Sequence, residues 1–201
     1  MKNLTKKQKT RRLAESAIML ALSTILAEFA VFKLPYGGSV TLFSQLPMVI
    51  ISYRYGIKWG AFTGLVMAGI QMIFGLENFS YVSGIWAYLI LIFADYVVAF
   101  GVLGLGGMFK NKIKNQSVAL TLGSIVVSLV RFLCHFISGV TIWSGYAEGT
   151  SVWAYSLTYN ASYMVPELII TAVGAWVIAS LFELSSPEIK VRVGKKSRKQ
   201  P

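Results

Sequence analysis

Six long apolar segments constrain the fold of this chain more than any other feature of its sequence. A helix needs about 20 mostly apolar residues to cross the hydrocarbon core of a bilayer. The segments cover residues 13–33, 40–54, 57–76, 85–109, 117–142 and 154–183. The second is short and contains Pro47, so it is expected to be kinked, tilted or partly re-entrant, and the sixth is expected to bend near Pro166. These segments predict an all-α integral membrane protein with six transmembrane helices.

The composition supports this interpretation. Of the 201 residues, 55% are hydrophobic and 13% are charged, whereas a soluble domain has roughly 45–50% apolar and about 25% charged residues. We therefore divide the chain into a basic tail over residues 1–12, one membrane domain over 13–183 and a second basic tail over 184–201.

The positions of the basic residues predict how the chain crosses the membrane. Seventeen of the nineteen lysines and arginines lie in the two tails, in the connection after the fourth segment, or beside the connection after the second, as Arg54 and Lys58 do. Because basic residues favour the cytoplasmic side, both termini are expected to be cytoplasmic in a multi-pass protein of the cell membrane. The net charge of +11 is then a topology signal with some attraction to the lipid bilayer, and nucleic acid is not an expected partner.

Two ionisable residues lie four positions apart inside the fifth apolar segment, in RFLCHFISGVTIW (131–143). A four-residue step places Arg131 and His135 on one face of a helix, one turn apart. An ionisable group at bilayer depth costs roughly 3 kcal/mol on insertion scales unless it faces a polar cavity or a partner. The pair therefore indicates a binding site, with a structural hydrogen-bonded contact between helices as the alternative.

The fourth segment carries a carboxylate, Asp95, deep in the apolar run YLILIFADYVVAF (88–100). Tyr96 follows it directly, and Tyr88 lies seven residues earlier, where an α-helix would place it on the same face. A buried carboxylate beside aromatic rings suits an organic cation, since each ring adds about 0.5–2 kcal/mol of cation–π attraction. The alternative is that Asp95 pairs with Arg131 or His135 only to neutralise them.

Aromatic and polar side chains are dense after the fifth segment and at the start of the sixth, among them Trp143, Tyr155 and Asn160. Tryptophan and tyrosine are also enriched at membrane interfaces, which explains part of this set without any ligand. That explanation fits Asn160 less well, because its amide can donate and accept hydrogen bonds, as recognition of a heterocycle requires. With His135 and Asp95, these residues predict a concave site on the extracellular side.

The first segment carries alanines at positions 14, 17 and 21. Small residues at this spacing form a smooth stripe that lets another helix approach closely, although alanine is also simply a good helix former. We interpret Ala17 and Ala21 as part of a docking face for a partner protein.

No enzyme signature is present in the sequence. The phosphate-binding GxxxxGK[ST] loop and the HExxH metal motif are absent, and the single cysteine, Cys134, has no CxxC partner. We therefore predict no catalytic site, no metal site and no resident cofactor. Any ATP-driven step would have to take place in another chain.

Three stretches of the sequence resemble the thiamine-specific S components of energy-coupling factor (ECF) transporters. They are RFLCHFISGVTIW (131–143), YSLTYNASYMVPELIIT (155–171) and GGSVTLFSQLPMVIISYRYGIKWGAFTGLVMAGIQMIFG (37–75). The resemblance covers most of residues 13–183 and implies six helices around a high-affinity vitamin site near the outer surface. It also implies partners, namely a transmembrane coupling protein and two ATPase subunits. The AxxxA docking motif of the family falls on Ala17 and Ala21.

The resemblance also assigns ligand contacts in this chain. The binding positions of the family fall on Asp95, Tyr96, His135, Trp143, Tyr155 and Asn160. Some members have a glutamate at the place of Asp95, so a pocket with the shorter aspartate has to close slightly. A tryptophan in the first outer loop of some members has no counterpart in KLPYGGSV (33–40), where Tyr36 is the only aromatic residue. The outer lid of the site is the part of the family pattern from which this chain departs.

These observations favour a high-affinity thiamine-binding subunit of an ATP-driven ECF uptake transporter. Thiamine has a thiazolium cation, which matches Asp95, and flat rings, which match Trp143. Two other functions remain open, namely an S component for another heterocyclic vitamin or precursor and a self-sufficient carrier of organic cations. A structural membrane scaffold would explain the helices but not the clustered polar residues.

Overall fold

The structure, a computed structural model, describes residues 4–192 and consists mainly of helices. The long helices are α1 (Lys6–Glu28), α2 (Leu46–Tyr55), α3 (Ile57–Phe74), α4 (Ile85–Leu105), α5 (Gln116–Thr141) and α6 (Val152–Leu181). Two small antiparallel hairpins pair β1 (Ala30–Lys33) with β2 (Ser39–Thr41) and β3 (Phe182–Glu183) with β4 (Lys190–Val191). The ends of both predicted tails, residues 1–3 and 193–201, lie outside the described residues.

Four of these helices, α3 to α6, are long and apolar enough to cross a membrane. The prediction of a mostly helical, multi-pass membrane protein is confirmed to this extent. Helices α1 and α2 do not meet this criterion, each for its own reason. Helix α1 begins with the basic stretch KKQKTRR (6–12), and α2 has only 10 residues.

The first two predicted helices have wrong boundaries. Helix α1 begins at Lys6, because Thr5 and Gln8 form a reciprocal capping box that satisfies backbone N–H groups at its start. It ends at Glu28, and residues 30–33 form β1 instead of a last helical turn. The second predicted helix, 40–54, starts too early, since residues 39–41 form β2 and α2 begins at Leu46. Pro47 then lies in the first turn of α2. Backbone N–H groups in a first turn have no partner within the helix, so the N–H that proline lacks is not needed there.

Helix α2 forms the centre of the bundle. All of its residues from 46 to 53 are buried, and Met48, Val49 and Ile51 are fully enclosed. Leu103 of α4 and Leu120 of α5 belong to the same apolar cluster as Met48 and Val49. A helix that is apolar on all sides belongs in a protein core. Protein surrounds α2, which explains how so short a helix is accommodated in the bundle.

Helix α4 changes its geometry along its length. It is α-helical over Ile85–Ile90 and becomes a π-helix over Leu91–Val98, where Asp95 lies. π-helical turns are rare and concentrate at functional sites. The wider turn changes the angle between side chains that precede it, such as Tyr88, and side chains within it, such as Asp95. Tyr88 accordingly packs on Phe79, with ring centroids 6.1 Å apart, and does not line the cavity that Asp95 faces.

Arg54 joins three elements at the end of the bundle where α1 begins and α6 ends, which we call the base. Its Nε donates to Glu15 Oε2 of α1 at 2.9 Å, and its Nη1 donates to the carbonyl oxygen of Leu184 at 3.0 Å. Gln116, the first residue of α5, donates from Nε2 to the carbonyl oxygens of Ala179 and Phe182. These bonds satisfy orphan carbonyls at the end of α6 and hold the base together.

Helices α3 and α4 cross at a contact that only glycine permits. A Cβ atom at Gly104 would lie 2.1 Å from the backbone nitrogen of Ala61, whereas a Cβ at Gly69 of α3 would meet nothing within 4 Å. Small residues at helix crossings let backbones approach closely and gain van der Waals contact. Gly104 therefore sets the distance between α3 and α4.

We expect Gly104→Ala to destabilise the protein by about 1–3 kcal/mol, because the added methyl group overpacks the crossing. Gly69→Ala is the matched control and should leave stability unchanged or raise it by up to about 1 kcal/mol, since alanine is the better helix former. Thermal unfolding of the detergent-solubilised variants, followed by tryptophan fluorescence, measures both. Equal melting temperatures for Gly104→Ala and the unaltered chain would contradict the close crossing.

Candidate ligand-binding site

A cavity of about 400 Å³ lies between the helices at the end opposite the base. We call this the hairpin end, because the β1–β2 hairpin covers it. The volume falls within the roughly 300–1,000 Å³ typical of small-molecule pockets. All six residues predicted to bind a ligand line this cavity, namely Asp95, Tyr96, His135, Trp143, Tyr155 and Asn160. The structure thus brings together side chains from α4, α5, α6 and the α5–α6 connection.

Asp95 is held by three side chains that follow one another along the chain. Its Oδ1 lies 2.8 Å from Nδ1 of His135, and its Oδ2 accepts from Ser138 Oγ at 2.6 Å and from Trp143 Nε1 at 3.3 Å. Of the two pairing partners considered from the sequence, the structure therefore selects His135. Since a carboxylate offers about four lone-pair positions, Asp95 retains capacity to accept from a ligand.

His135 is oriented by this contact. The carboxylate of Asp95 is an acceptor, so the proton of the imidazole lies on Nδ1 and Nε2 is left without it in the neutral ring. The side chain is mostly buried, with 16% of its surface exposed, and it lines the cavity. A neutral His135 therefore offers a hydrogen-bond acceptor to a group that donates from within the cavity.

An aromatic cluster lies over the cavity at the hairpin end. The ring centroid of Tyr36 lies 5.4 Å from that of Tyr81, 6.3 Å from Trp143 and 4.3 Å from Tyr146. These rings come from three separate connections, after β1, α3 and α5. Tyr36, the single aromatic residue of its loop, thus takes part in covering the site although the tryptophan of the family pattern is missing.

The side chain of Asn160 has a different role from the ligand contact that the sequence predicts. It is 4% exposed, and its Nδ2 donates to Ser156 O at 2.9 Å and to His135 O at 3.3 Å. Its Oδ1 accepts from Tyr163 at 2.8 Å. The amide mainly joins α5 to α6, so what remains for a ligand is one lone pair on Oδ1.

Tyr96 and Tyr155 use their hydroxyl groups differently. Tyr96 is buried, accepts from Asn78 Nδ2 at 3.0 Å and donates to Gly75 O at 3.2 Å, so it anchors the α3–α4 connection beside the site. Tyr155 stacks on Tyr159 with centroids 5.8 Å apart, and its hydroxyl forms no hydrogen bond with any described residue. Of these two hydroxyl groups, the one on Tyr155 is therefore available to a ligand.

Two charged residues line the same cavity deeper in the bundle. Arg131 is 8% exposed and lies over the Phe100 ring, and its Nε has no hydrogen-bond partner among the described residues. Glu167 is 5% exposed and accepts from Thr41 and Ser44. Neither forms an ion pair within residues 4–192. Burying a guanidinium group without a hydrogen-bond partner costs free energy. The inner end of the cavity therefore favours a ligand that places a polar group there.

The predicted docking residues lie away from the cavity. Ala17 and Ala21 are exposed on α1 together with Ala14, and none of them lines the cavity. The stripe is therefore open to a partner or to lipid on the outside of the bundle.

Several residues of the site were not predicted. Ser138 and Tyr159 were missed, although each follows a predicted residue by one helical turn, Ser138 after His135 and Tyr159 after Tyr155. Tyr155, Tyr159, Tyr163 and Glu167 recur at every fourth position and all line the cavity. That period is the sequence signal that a single helical face points inward.

The sequence of the chain is similar to those of known transport proteins. A sequence model of the family described as "Thiamine transporter protein" matches residues 13–185. The chain is 36% identical to the thiamine transporter ThiT of Bacillus subtilis (strain 168) over 191 residues, which cover 89% of this chain and 93% of that protein. It is 25% identical to ThiT of Lacticaseibacillus paracasei, over 82% of this chain and 88% of that protein.

A solved structure has the same fold. ThiT from Listeria monocytogenes superposes with a TM-score of 0.69 at 19% sequence identity, covering 85% of this chain and 94% of that one. At this identity the likeness concerns the arrangement of the helices.

Proposed function

The chain belongs to the thiamine transporter protein family, and we propose that it is the high-affinity thiamine-binding subunit, or S component, of an ECF uptake transporter in a bacterial cell membrane. Family membership makes it a transport protein and not an enzyme, in agreement with the sequence. The observation that carries the proposal is the convergence of a carboxylate, a histidine and aromatic rings on one cavity.

The charged ring of thiamine suits the surroundings of Asp95. When His135 is neutral, the pair carries one negative charge, and the thiazolium ring supplies one positive charge. Burial in a low-dielectric site strengthens this attraction, and the aromatic cluster adds cation–π contacts. The Asp95–His135 contact does not compete with the counter-ion role, because the carboxylate keeps its charge and about one of its four lone-pair positions free.

The aminopyrimidine ring of thiamine suits the neutral polar groups. Its amino group donates hydrogen bonds, for which Nε2 of His135 and Oδ1 of Asn160 are acceptors. Its ring nitrogens accept, for which the free hydroxyl of Tyr155 is a donor. Stacking on Trp143 then holds the flat ring in the correct plane.

The remaining group of thiamine, a hydroxyethyl chain, suits the inner end of the cavity. A hydroxyl donates one hydrogen bond and accepts others, so it can donate to Glu167 while it accepts from Arg131. This placement gives Arg131 the partner that it lacks among the described residues.

Energy for uptake would come from other chains. We place the cytoplasmic side at the base, where Lys6, Lys7 and Lys9 are exposed and Lys110 lies beside Arg54, and the site at the extracellular side. In this arrangement α1 and α2 complete six membrane-embedded helices. The exposed alanine stripe of α1 docks on a transmembrane coupling protein, to which two ATPase subunits attach.

We expect Asp95→Asn to weaken thiamine binding by about 2–4 kcal/mol, the range for losing one partner of a desolvated charge pair. The amide oxygen of asparagine still accepts from His135, so the bundle should fold. Glu148→Gln is the matched control, because this exposed carboxylate does not line the cavity, and it should bind normally. Titration calorimetry with purified protein measures both. Normal binding by Asp95→Asn would make the carboxylate purely structural.

The orientation can be tested in intact cells. In a Cys134→Ala background, a membrane-impermeant thiol reagent should label Ser151→Cys, at the start of α6, and leave Thr5→Cys, at the start of α1, unlabelled. The positive-inside rule is the physical reason. The reverse labelling pattern would place the cavity on the wrong side for uptake.

Docking can be separated from binding with bulky substitutions on α1. Ala17→Trp and Ala21→Trp should abolish thiamine accumulation in cells, because an indole ring prevents close helix contact. Thiamine binding by the isolated subunit should persist, since neither residue lines the cavity. Leu129→Trp, at an exposed position of α5, is the control and should support uptake. A self-sufficient cation carrier would keep transporting with all three variants, and would take up thiamine when reconstituted alone in liposomes.

A further inference from the structure

The turn between β1 and β2, residues 35–38, covers the cavity. Pro35, Tyr36, Gly37 and Gly38 all line it, and we call these four residues the roof turn. The roof turn and the aromatic cluster around Tyr36 both lie at this end of the cavity, so an outward movement of the roof turn would widen the way in for a ligand.

The roof turn has a conformation that needs outside support. Tyr36 has a φ of 65° and Gly37 has a φ of 94°. Glycine adopts left-handed backbone readily, but a bulky residue such as tyrosine does so only where its surroundings impose it. Within the turn, one backbone hydrogen bond from Leu34 N to Gly38 O at 2.7 Å closes the loop. Contacts with other elements must therefore hold Tyr36 in place.

Tyr159 of α6 supplies two such contacts through a single oxygen atom. Its hydroxyl donates to the carbonyl oxygen of Pro35 and accepts from the backbone N–H of Gly38 at 3.1 Å. The two bonds therefore join both ends of the roof turn to one helix. The fit is tight, because a Cβ at Gly38 would lie 2.8 Å from this oxygen.

The hydroxyl of Tyr159 is thus committed to the roof turn. A phenol has one donor, which Pro35 uses, and Gly38 takes one of its acceptor positions. The ring lies between Tyr155 and Tyr163, at 5.8 Å from each, on the helical face that lines the cavity. Tyr159 consequently connects the wall of the site to its cover.

We propose that Tyr159 is a positioning residue that latches the roof turn over the bound ligand and limits the rate at which the ligand exchanges. This inference rests on the proposed function for the identity of the ligand, thiamine. The latch consists of contacts within the chain itself, so it can be tested on purified protein before any ligand is added.

Tyr159→Phe removes both hydrogen bonds and keeps the ring. Stopped-flow tryptophan fluorescence with thiamine should show association and dissociation rates that each rise by about tenfold or more, because opening the roof turn no longer breaks these two hydrogen bonds. The dissociation constant should change much less, because both rates move together. Tyr88→Phe is the matched control, since the Tyr88 hydroxyl forms no hydrogen bond with a described residue and does not line the cavity; both rates should stay unchanged.

Hydrogen exchange of the ligand-free protein tests the latch without thiamine. The amides of Leu34 and Gly38 should exchange faster in Tyr159→Phe than in the unaltered chain or in Tyr88→Phe, because both amides are bonded within the latched turn. Unchanged exchange, or a rise in the dissociation rate alone, would overturn the proposal and make Tyr159 an ordinary ligand contact. If the unaltered chain did not bind thiamine, the proposed function would fail while the exchange measurement still decided the latch.

Discussion

The hydrogen bond between Asp95 and His135 is the interaction on which the arrangement of the site depends. A carboxylate inside an apolar bundle must be satisfied by hydrogen bonds, and α5 provides His135 and Ser138 one turn apart for this purpose. The backbone oxygen of His135 in turn accepts from Asn160 of α6. The contact at Asp95 therefore fixes α4 against α5, the Asn160 bond fixes α5 against α6, and His135 takes part in both.

The two ends of the bundle are held by different means. At the base, Arg54 and Gln116 connect helices directly through charged and amide groups to backbone carbonyls. At the hairpin end, loops meet through aromatic rings and the hydroxyl of Tyr159. Bonds between helices restrict motion more than contacts between loops, because loops have fewer buried contacts and open locally at lower cost. This difference fits the proposed function, in which the ligand exchanges at the hairpin end and a coupling protein docks along the outside of α1.

The sequence predicted the parts of the molecule that hydrophobic length and helical spacing determine. Helices α3 to α6 follow from apolar segments, and the six predicted binding residues do line one cavity. The start of α2 was placed too early because the apolar run over residues 40–54 does not reveal that its first residues pair with β1. The use of the Asn160 amide between helices and the grip of Tyr159 on the roof turn depend on contacts between distant segments, which one sequence does not reveal. Tyr88 was misplaced because spacing rules assume a regular α-helix.

The π-helix of α4 also limits which insertions and deletions this chain can tolerate. In a regular α-helix, removing one residue rotates everything beyond it by about 100°. The π segment over Leu91–Val98 holds more residues per turn than its neighbours, so a deletion there could be absorbed by reverting to α-helical hydrogen bonds. The helix would survive such a change, but Asp95 would turn away from His135. A relative one residue shorter at this place would therefore keep the helix while its carboxylate pointed in another direction.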